Sequence, residues 1–418
     1  MSQSTKRIAG MLKAVNAIGI TDDGQQRLAY TNKEDQAFLL AAKWCEYQGM
    51  SIRTDAAGNL IARRAGTEPD FPAVAIGSHL DTVYTGGQYD GTVGVVTAIE
   101  VINRLEEKNI KTRHPLEVIV FRAEESSRFG MATIGSKAMA GVLDTATLAE
   151  LKDRSGTTFQ EAVKKRGLDS ARMNEAKRSN EELEAFLEVH IEQGLELEHA
   201  GCSIAIAKAV SAPTRMKVIV EGRYSHSGTT SMDKRKDALV ASASIVMALE
   251  SFAKEEAAHG TVGTVGVLNV MNAAMNVVPG YVTMEMDIRG VEEASIARVV
   301  KKIIDHAGAV EDDHGVTVTV ETISAEKPVP LSETLQALLS EASERLELKP
   351  LFIPSGAGHD VMNMAKITES ALVFIPSRDG LSHHPNEHSD IRDIVTACDV
   401  IEAAVKARAT VVEEELKS

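Results

Sequence analysis

Two textures of hydrophobic and polar positions run along this chain. In the first, helical spacing alternates with short apolar runs. Residues 5–19 and 33–49 repeat apolar side chains at the period of a helix, with Asn32 placed to cap the second. Asp55-Ala56-Ala57-Gly58-Asn59 reads as a turn, and Leu60 to Arg63 as a strand leaving it. The run from Val74 into His79 is too short and too apolar for a surface helix, so it predicts a buried strand over 73–78. A glycine-rich turn and a helix over 91–107 follow, then a strand over Leu116 to Phe121. Residues 146–188 are mostly polar and helical in character, and Phe186 to Gly194 reads as a strand with a chemically rich tip. Strands alternating with helices predict an α/β layer on a largely parallel sheet.

The second texture begins near residue 210. Segments 216–222 and 281–288 alternate apolar and polar, the mark of strands with one solvated face. Helical segments over 234–257 and 292–308 accompany them, and a strand over 315–323 precedes Lys327-Pro328-Val329-Pro330. The α/β pattern then resumes with a helix over 333–347, strands over 350–354 and 371–375, and a last helix over 389–415. The architecture expected is α/β: a catalytic domain formed by 1–211 and 329–418, interrupted by a smaller α+β domain over 212–328. Glu413-Glu414-Glu415 reads as a solvated helix end.

Composition narrows the function classes. With 418 residues, 44% of them hydrophobic, the chain can bury a core for two or three domains. A formal net charge of −15 argues against binding nucleic acid or an anionic membrane surface. Cys45, Cys202 and Cys398 are far apart and odd in number, which disfavours both a disulfide framework and a thiolate metal site. The first residues carry no signal-peptide apolar stretch, and no apolar run reaches transmembrane length. A cytoplasmic protein is expected.

Candidate chemistry gathers at five tips, each at the end of an apolar strand or in a glycine-containing turn. They are His79 with Asp81, Asp90, Glu124 with Glu125, His190 with Glu192, and Ser382-His383-His384-Pro385. Each has a plain structural reading: a solvated acidic pair, a hydrogen-bonded core histidine, an ordinary loop. Together they lie where α/β sheets place their ligand sites. Two divalent ions side by side need a bridging carboxylate, terminal histidines or carboxylates, and a further carboxylate to carry a proton. An adjacent Glu124-Glu125 pair supplies a ligand and a proton carrier.

These motifs resemble those of the zinc-type amidohydrolases of the M20 peptidase superfamily, in the branch of N-carbamoyl-L-amino acid hydrolases, allantoate amidohydrolases and β-ureidopropionases. The resemblance runs from about Gly58 to Asp390. It rests on Gly77-Ser78-His79-Leu80-Asp81, Gly86-Gly87-Gln88-Tyr89-Asp90-Gly91, Glu124-Glu125 with Arg128-Phe129, and His190-Ile191-Glu192-Gln193-Gly194. Further on it includes His226-Ser227-Gly228-Thr229-Thr230, Asn276-Val277-Val278-Pro279-Gly280, Asp287-Ile288-Arg289, Ser355-Gly356-Ala357-Gly358-His359-Asp360 and Ser382-His383.

The resemblance implies two divalent ions per subunit, zinc first, with manganese, cobalt and nickel as alternatives. Asp90 would bridge them, with His79 and His190 completing one ligand set and Glu125 and His383 the other. It also implies a cis peptide bond between Asp90 and Gly91. Glu124 would be the general base and Asp81 a clamp on His79. His226 would reach the site of the other subunit in a homodimer. Arg289 would pair a substrate carboxylate, with Asn276, Gln193, Gly356, Ala357 and His359 completing the pocket. Arg289 and Asp287 share one strand face, so a structural ion pair stands as the alternative there. His384, beside His383, leaves open which late histidine is the ligand. The implied activity is hydrolysis of the N-carbamoyl group of a small amino-acid-derived substrate. An aminoacylase or dipeptidase acting on N-acyl or peptide bonds is the alternative.

Overall fold

A computed structural model describes residues 2–412, which places Glu413-Glu414-Glu415 outside the described residues. The chain divides into two compact units. One contains the residues up to Lys208 and those from Leu331 on; the other is Ala209–Pro330.

The first unit is built on a mixed sheet. Its heart is parallel: Glu369–Ile375 pairs with Leu183–Ile191, which pairs with Ala73–His79, which pairs with Leu116–Phe121. Apart from Glu184 and Glu369, which are partly exposed, these strands are buried throughout, which is why they read as near-continuous apolar runs. The sheet is less parallel than expected, because antiparallel strands flank that heart. Asp55 Oδ1 accepts from the amides of Ala57 and Asn59, closing a tight turn that folds Ser51–Thr54 back on Leu60–Arg64. Leu60–Arg64 then runs antiparallel to Leu116–Phe121, and Ala205–Val210 runs antiparallel to Glu369–Ile375.

Helix Thr92–Glu107 carries Val93, Val95, Val96, Ile99, Val101, Ile102 and Leu105 around its circumference and lies in the core of this unit. Helix Asn32–Tyr47 is capped by Thr31, whose hydroxyl accepts from Glu34 N, one residue earlier than the sequence suggested. The polar stretch over 146–188 holds only short turns of helix, Thr145–Leu148, Phe159–Lys164 and Ser170–Ala176, before the strand Leu183–Ile191 begins.

The second unit is α+β. Four antiparallel strands stand in the order Val262–Val270, Tyr281–Gly290, Ala212–Glu221, Thr317–Ala325. Alternation decides its core. Met216, Val218 and Val220, with Val282, Met284, Met286 and Ile288, pack against Ile245 and Leu249 of helix Ala238–Glu255 and Ile296, Val299 and Ile303 of helix Glu293–His314. The intervening positions, Asp287 and Arg289 among them, therefore lie on the opposite face.

Candidate metal centre

The parallel strands deliver chemistry at their carboxyl ends. His79 closes the strand Ala73–His79, and its register partner is Phe121, three residues before Glu124. His190 lies in Leu183–Ile191 beside Phe374, whose strand leads into the loop bearing Ser382 and His383. Asp90 comes from the turn before helix Thr92–Glu107 and lies beside its N-terminus, where the helix dipole favours an anion. Gly91 there has φ 63°, and a Cβ on it would come within 2.4 Å of the His79 ring. The turn passes the histidine only because this residue is glycine. All peptide bonds among the described residues are trans, so the expected cis bond to Gly91 is not found. The reversal is made through the positive φ of the glycine instead.

The two oxygens of Asp90 face two different groups. His79 Nε2 lies 3.4 Å and His190 Nε2 3.2 Å from Oδ1, while His383 Nε2 lies 3.5 Å from Oδ2 and 3.2 Å from Glu125 Oε1. Ligand-competent atoms of His79, Asp90 and His190 fall within 4.8 Å of one another, as do those of Asp90, Glu125 and His383. Asp90 is the member common to both trios. His384 is outside them: its Nδ1 accepts from Asn386 N on the exposed side of the loop.

Hydrogen bonding argues that the cluster fits cations. His79 Nδ1 lies 3.1 Å from the Asp81 carbonyl and His190 Nδ1 2.9 Å from the Ile191 carbonyl, so each Nδ1 carries a proton. Each Nε2 then faces the Asp90 carboxylate; that of His190 also lies 3.3 Å from Gly91 N, and His79 Nε2 is buried with no hydrogen-bond partner. Imidazoles and a carboxylate so placed in a buried site need positive charge between them, as ring protons or as a bound cation.

The ionisation of the site follows. Burial acts to lower the His79 pKa, but Glu124, Asp81 and Asp90 outweigh it and raise it well above the usual histidine range. Asp90 is held well below the usual carboxylate range, burial being overcome by His190 and His79. Burial raises Glu124 well above its ordinary value, His79 opposes, and Glu125 adds to the rise. The hydrogen bond to Glu125 pushes His383 up to about 9.

Glu124 and Glu125 are both buried, which rules out a solvated acidic end. Asp81 fixes them: Oδ1 accepts from Glu124 N at 3.1 Å and Oδ2 from Glu125 N at 3.0 Å. The Asp81 side chain is 3.5 Å from His79 Nδ1, farther than its own carbonyl, so it clamps the Glu124-Glu125 loop more closely than the ring. The carbonyls of Arg122, Ala123 and Glu124 accept from Gly135, Ile134 and Thr133, which stitches the loop to the next segment. Glu124 Oε2 lies 3.8 Å from His79 Nε2.

Gln193 Nε2 donates to Asp90 Oδ2 at 2.7 Å and to Ser382 Oγ at 2.9 Å. Beside it, Gln193, Gly356, Ala357, Ile353, Phe374 and His383 line a cavity of about 690 Å³. His359 does not line it. It is buried, its ring 4.4 Å from that of His190, and burial with His190 nearby keeps its pKa well below the usual value. Glu192 caps a helical turn by accepting from Glu196 N and Leu197 N.

Three residues of the second unit were expected at the site. His226 is exposed and pairs with Val277 in a two-stranded ribbon, its Nδ1 accepting from Gly228 N. Asn276 is exposed, and its carbonyl accepts from Ser227 N. Arg289 grips Asp287 with both prongs, Nε to Oδ1 at 2.7 Å and Nη2 to Oδ2 at 2.6 Å.

Sequence reasoning missed Glu188, Arg27 and Glu387 around the cluster, and named Ser382 within the late tip without giving it a role. Ser382 Oγ donates to Asp90 Oδ2 at 2.7 Å. Glu188 joins Ser78 Oγ to Val361 N behind His190; an acid two positions from a histidine in an apolar strand was its signal. Arg27, completely buried, donates to the Leu80 and Ile18 carbonyls and to Thr92 Oγ1, tying the end of strand Ala73–His79 to the start of helix Thr92–Glu107. Burial brings its pKa down to about 10. Glu387 Oε1 accepts from the amides of Tyr89 and Asp90, and burial beside Asp90 pushes its carboxyl up to about 7.

Comparison with known proteins agrees with this geometry. Residues 75–407 match Peptidase family M20/M25/M40. An N-carbamoyl-L-amino acid amidohydrolase of Geobacillus stearothermophilus is 37% identical over 378 residues, covering 90% of this chain and 92% of that protein. An allantoate amidohydrolase of Bacillus subtilis is 32% identical over 373 residues, covering 89% of this chain and 90% of that protein. The solved structure of a hydantoinase/carbamoylase family amidase from Burkholderia multivorans superposes with a TM-score of 0.89 at 31% identity, over 97% of this chain and 98% of that one. Among the described residues no helix is long and apolar enough to cross a membrane. The chain belongs to peptidase family M20/M25/M40, as a hydrolase of C–N bonds in its hydantoinase/carbamoylase branch.

Proposed function

We propose that this protein is a dimetal amidohydrolase that removes the N-carbamoyl group of a small amino-acid-derived substrate, an N-carbamoyl-L-amino acid or allantoate. The observation that carries the reading is the position of Asp90, one oxygen turned to His79 and His190 and the other toward His383, itself beside Glu125. Relatives acting on N-carbamoyl-L-amino acids and on allantoate support the substrate class.

His79, Asp90 and His190 would hold one ion, and Asp90, Glu125 and His383 the other. Zinc suits this nitrogen and oxygen set, and manganese, cobalt and nickel are accepted by similar ones. When bound, the ions supply Lewis acidity toward the scissile carbonyl and lower the pKa of the attacking water. Glu124 takes the proton of that water at its carboxylate and hands it to the leaving nitrogen. Asp81 keeps Glu124 and Glu125 in place through their amides. Gln193 and the Gly356-Ala357 turn orient the substrate, and His359 supports His190 from behind. The nitrogen of the carbamoyl group leaves as ammonia, with carbon dioxide and the amino acid.

The unit Ala209–Pro330 would act as lid and dimer surface of a cytoplasmic homodimer. His226 would steady the developing oxyanion in the partner's site, and Asn276 and Arg289 would hold the substrate carboxylate. Mixing His226→Ala subunits with Glu124→Gln subunits is then expected to restore activity that neither homodimer has. Absence of rescue would confine the site to one chain.

The test is ammonia release from N-carbamoyl-L-amino acids and allantoate, beside N-acetyl-amino acids and dipeptides, by apoprotein reloaded with zinc, manganese, cobalt or nickel. Metal-dependent ammonia from the ureido compounds is expected. Cleavage of only acyl or peptide compounds would give the site to an aminoacylase or dipeptidase. Arg289→Ala is expected to raise KM for carboxylate-bearing substrates by about 10–100-fold, through loss of a two-pronged ionic contact worth about 1.5–3 kcal/mol. An unchanged KM would leave Arg289 as the structural partner of Asp287.

A further inference from the structure

The structure assigns Glu387 as the positioning residue for the shared carboxylate, holding the Tyr89-Asp90 turn in the conformation that aims Asp90 at both trios. This rests on reading Asp90 as a ligand common to two ions.

Glu387 Oε1 accepts two successive amides, Tyr89 N at 2.7 Å and Asp90 N at 2.9 Å, across 297 residues of sequence. A carboxylate receiving adjacent backbone amides fixes the orientation of the peptide between them, and so the direction in which the Asp90 side chain leaves the backbone. Glu387 is only 3% exposed, so water does not compete for those amides. The turn is shaped to admit it: a Cβ on Gly87 would come 2.2 Å from the Glu387 carboxyl carbon and 2.4 Å from its Cβ. A glycine stands where the carboxylate passes. Gly87 has no positive φ, so close approach, not backbone freedom, is what the position requires.

The same loop bears His383, four residues earlier, and Ser382, which donates to Asp90 Oδ2. One short segment thus presents the late histidine and holds the shared carboxylate at its backbone and its side chain. Displacing Glu387 is expected to loosen both trios together, since Asp90 belongs to each. Substitution of groups that orient metal ligands lowers metal affinity by about 10–100-fold.

Two variants separate position from charge. Glu387→Gln keeps a carbonyl oxygen that accepts both amides but removes the charge. Gly87→Ala keeps the charge but drives the carboxylate from the turn. Zinc affinity of the full chain is measured for each, and for Glu387→Ala, by competition with a chromophoric chelator, with circular dichroism as the check on folding. Glu387→Gln is expected within about threefold of the unaltered protein, and Gly87→Ala and Glu387→Ala about 10–100-fold weaker. Equal weakening in Glu387→Gln and Glu387→Ala would make the contribution one of charge and overturn the assignment, as would zinc binding unchanged in all three. If Glu387→Ala does not fold, Gly87→Ala takes its place: Glu387→Gln weakened as much as Gly87→Ala, or neither weakened, overturns the assignment. Failure of the unaltered protein to bind zinc, manganese or cobalt would instead overturn the metal reading itself.

Discussion

Glu124→Gln is expected to keep its metal ions and to lose about 10²–10⁴-fold in kcat, the range contributed by a positioned general acid–base group. Glu124 belongs to neither trio of ligand-competent residues, and its amide, not its side chain, is what Asp81 holds. Glutamine preserves volume and backbone, so His79, Asp90 and His190 keep their places. What disappears is a carboxylate able to take a proton from water and release it to the leaving nitrogen. Steady-state kinetics with zinc content measured on the same samples checks this. Near-normal turnover at full zinc content would remove Glu124 from the role of base, and loss of zinc would make it a ligand.

Asp90→Ala is expected to have the other large effect, loss of both ions at once. Each trio counts Asp90 as a member, so the substitution removes a ligand from both and leaves His79 and Glu125 with fewer partners in a buried site. Zinc affinity at both positions is expected to fall by more than about 100-fold, beyond the cost of losing an orienting neighbour, with turnover at background. Stability should follow occupancy. Zinc at a thousandfold excess over its Kd stabilises a folded protein by about 4 kcal/mol, so the thermal midpoint of the unaltered protein should rise on loading while that of Asp90→Ala stays put. Glu125→Ala, touching one trio only, should retain one ion. Equal losses in the two variants would show that Asp90 is not shared.

Much of this was legible in the sequence, for physical reasons that differ from residue to residue. His79, Glu124 and His190 were visible because imidazoles and carboxylates recur at the ends of several apolar runs; each alone had an ordinary structural reading, and their convergence pointed to one site. The alternation over 281–288 named the core face of its strand correctly, since Val282, Met284, Met286 and Ile288 are buried and Asp287 is not part of that core. The antiparallel flank was less visible: it depends on an Asp55 side chain closing a turn, a local event that the apolar pattern does not record. The strand Val262–Val270 was missed because its apolar and small residues do not alternate with polar ones. Glu387 was missed for a different reason. It lies in a polar loop, where an acid ordinarily faces water, and only the folded chain brings it to the amides of Tyr89 and Asp90. Arg27 was hidden similarly, a charged residue completely buried by backbone carbonyls that sequence cannot place.

The measurement that tests the central claim most directly is the number of zinc ions bound per chain, by titration of metal-free protein followed by elemental analysis, with Asp90→Ala and Glu125→Ala alongside. Two ions in the unaltered chain, one in Glu125→Ala and none in Asp90→Ala are expected if the Asp90 carboxylate serves both. A single ion in the unaltered chain, or one retained by Asp90→Ala, would contradict a shared carboxylate and leave a mononuclear site in its place.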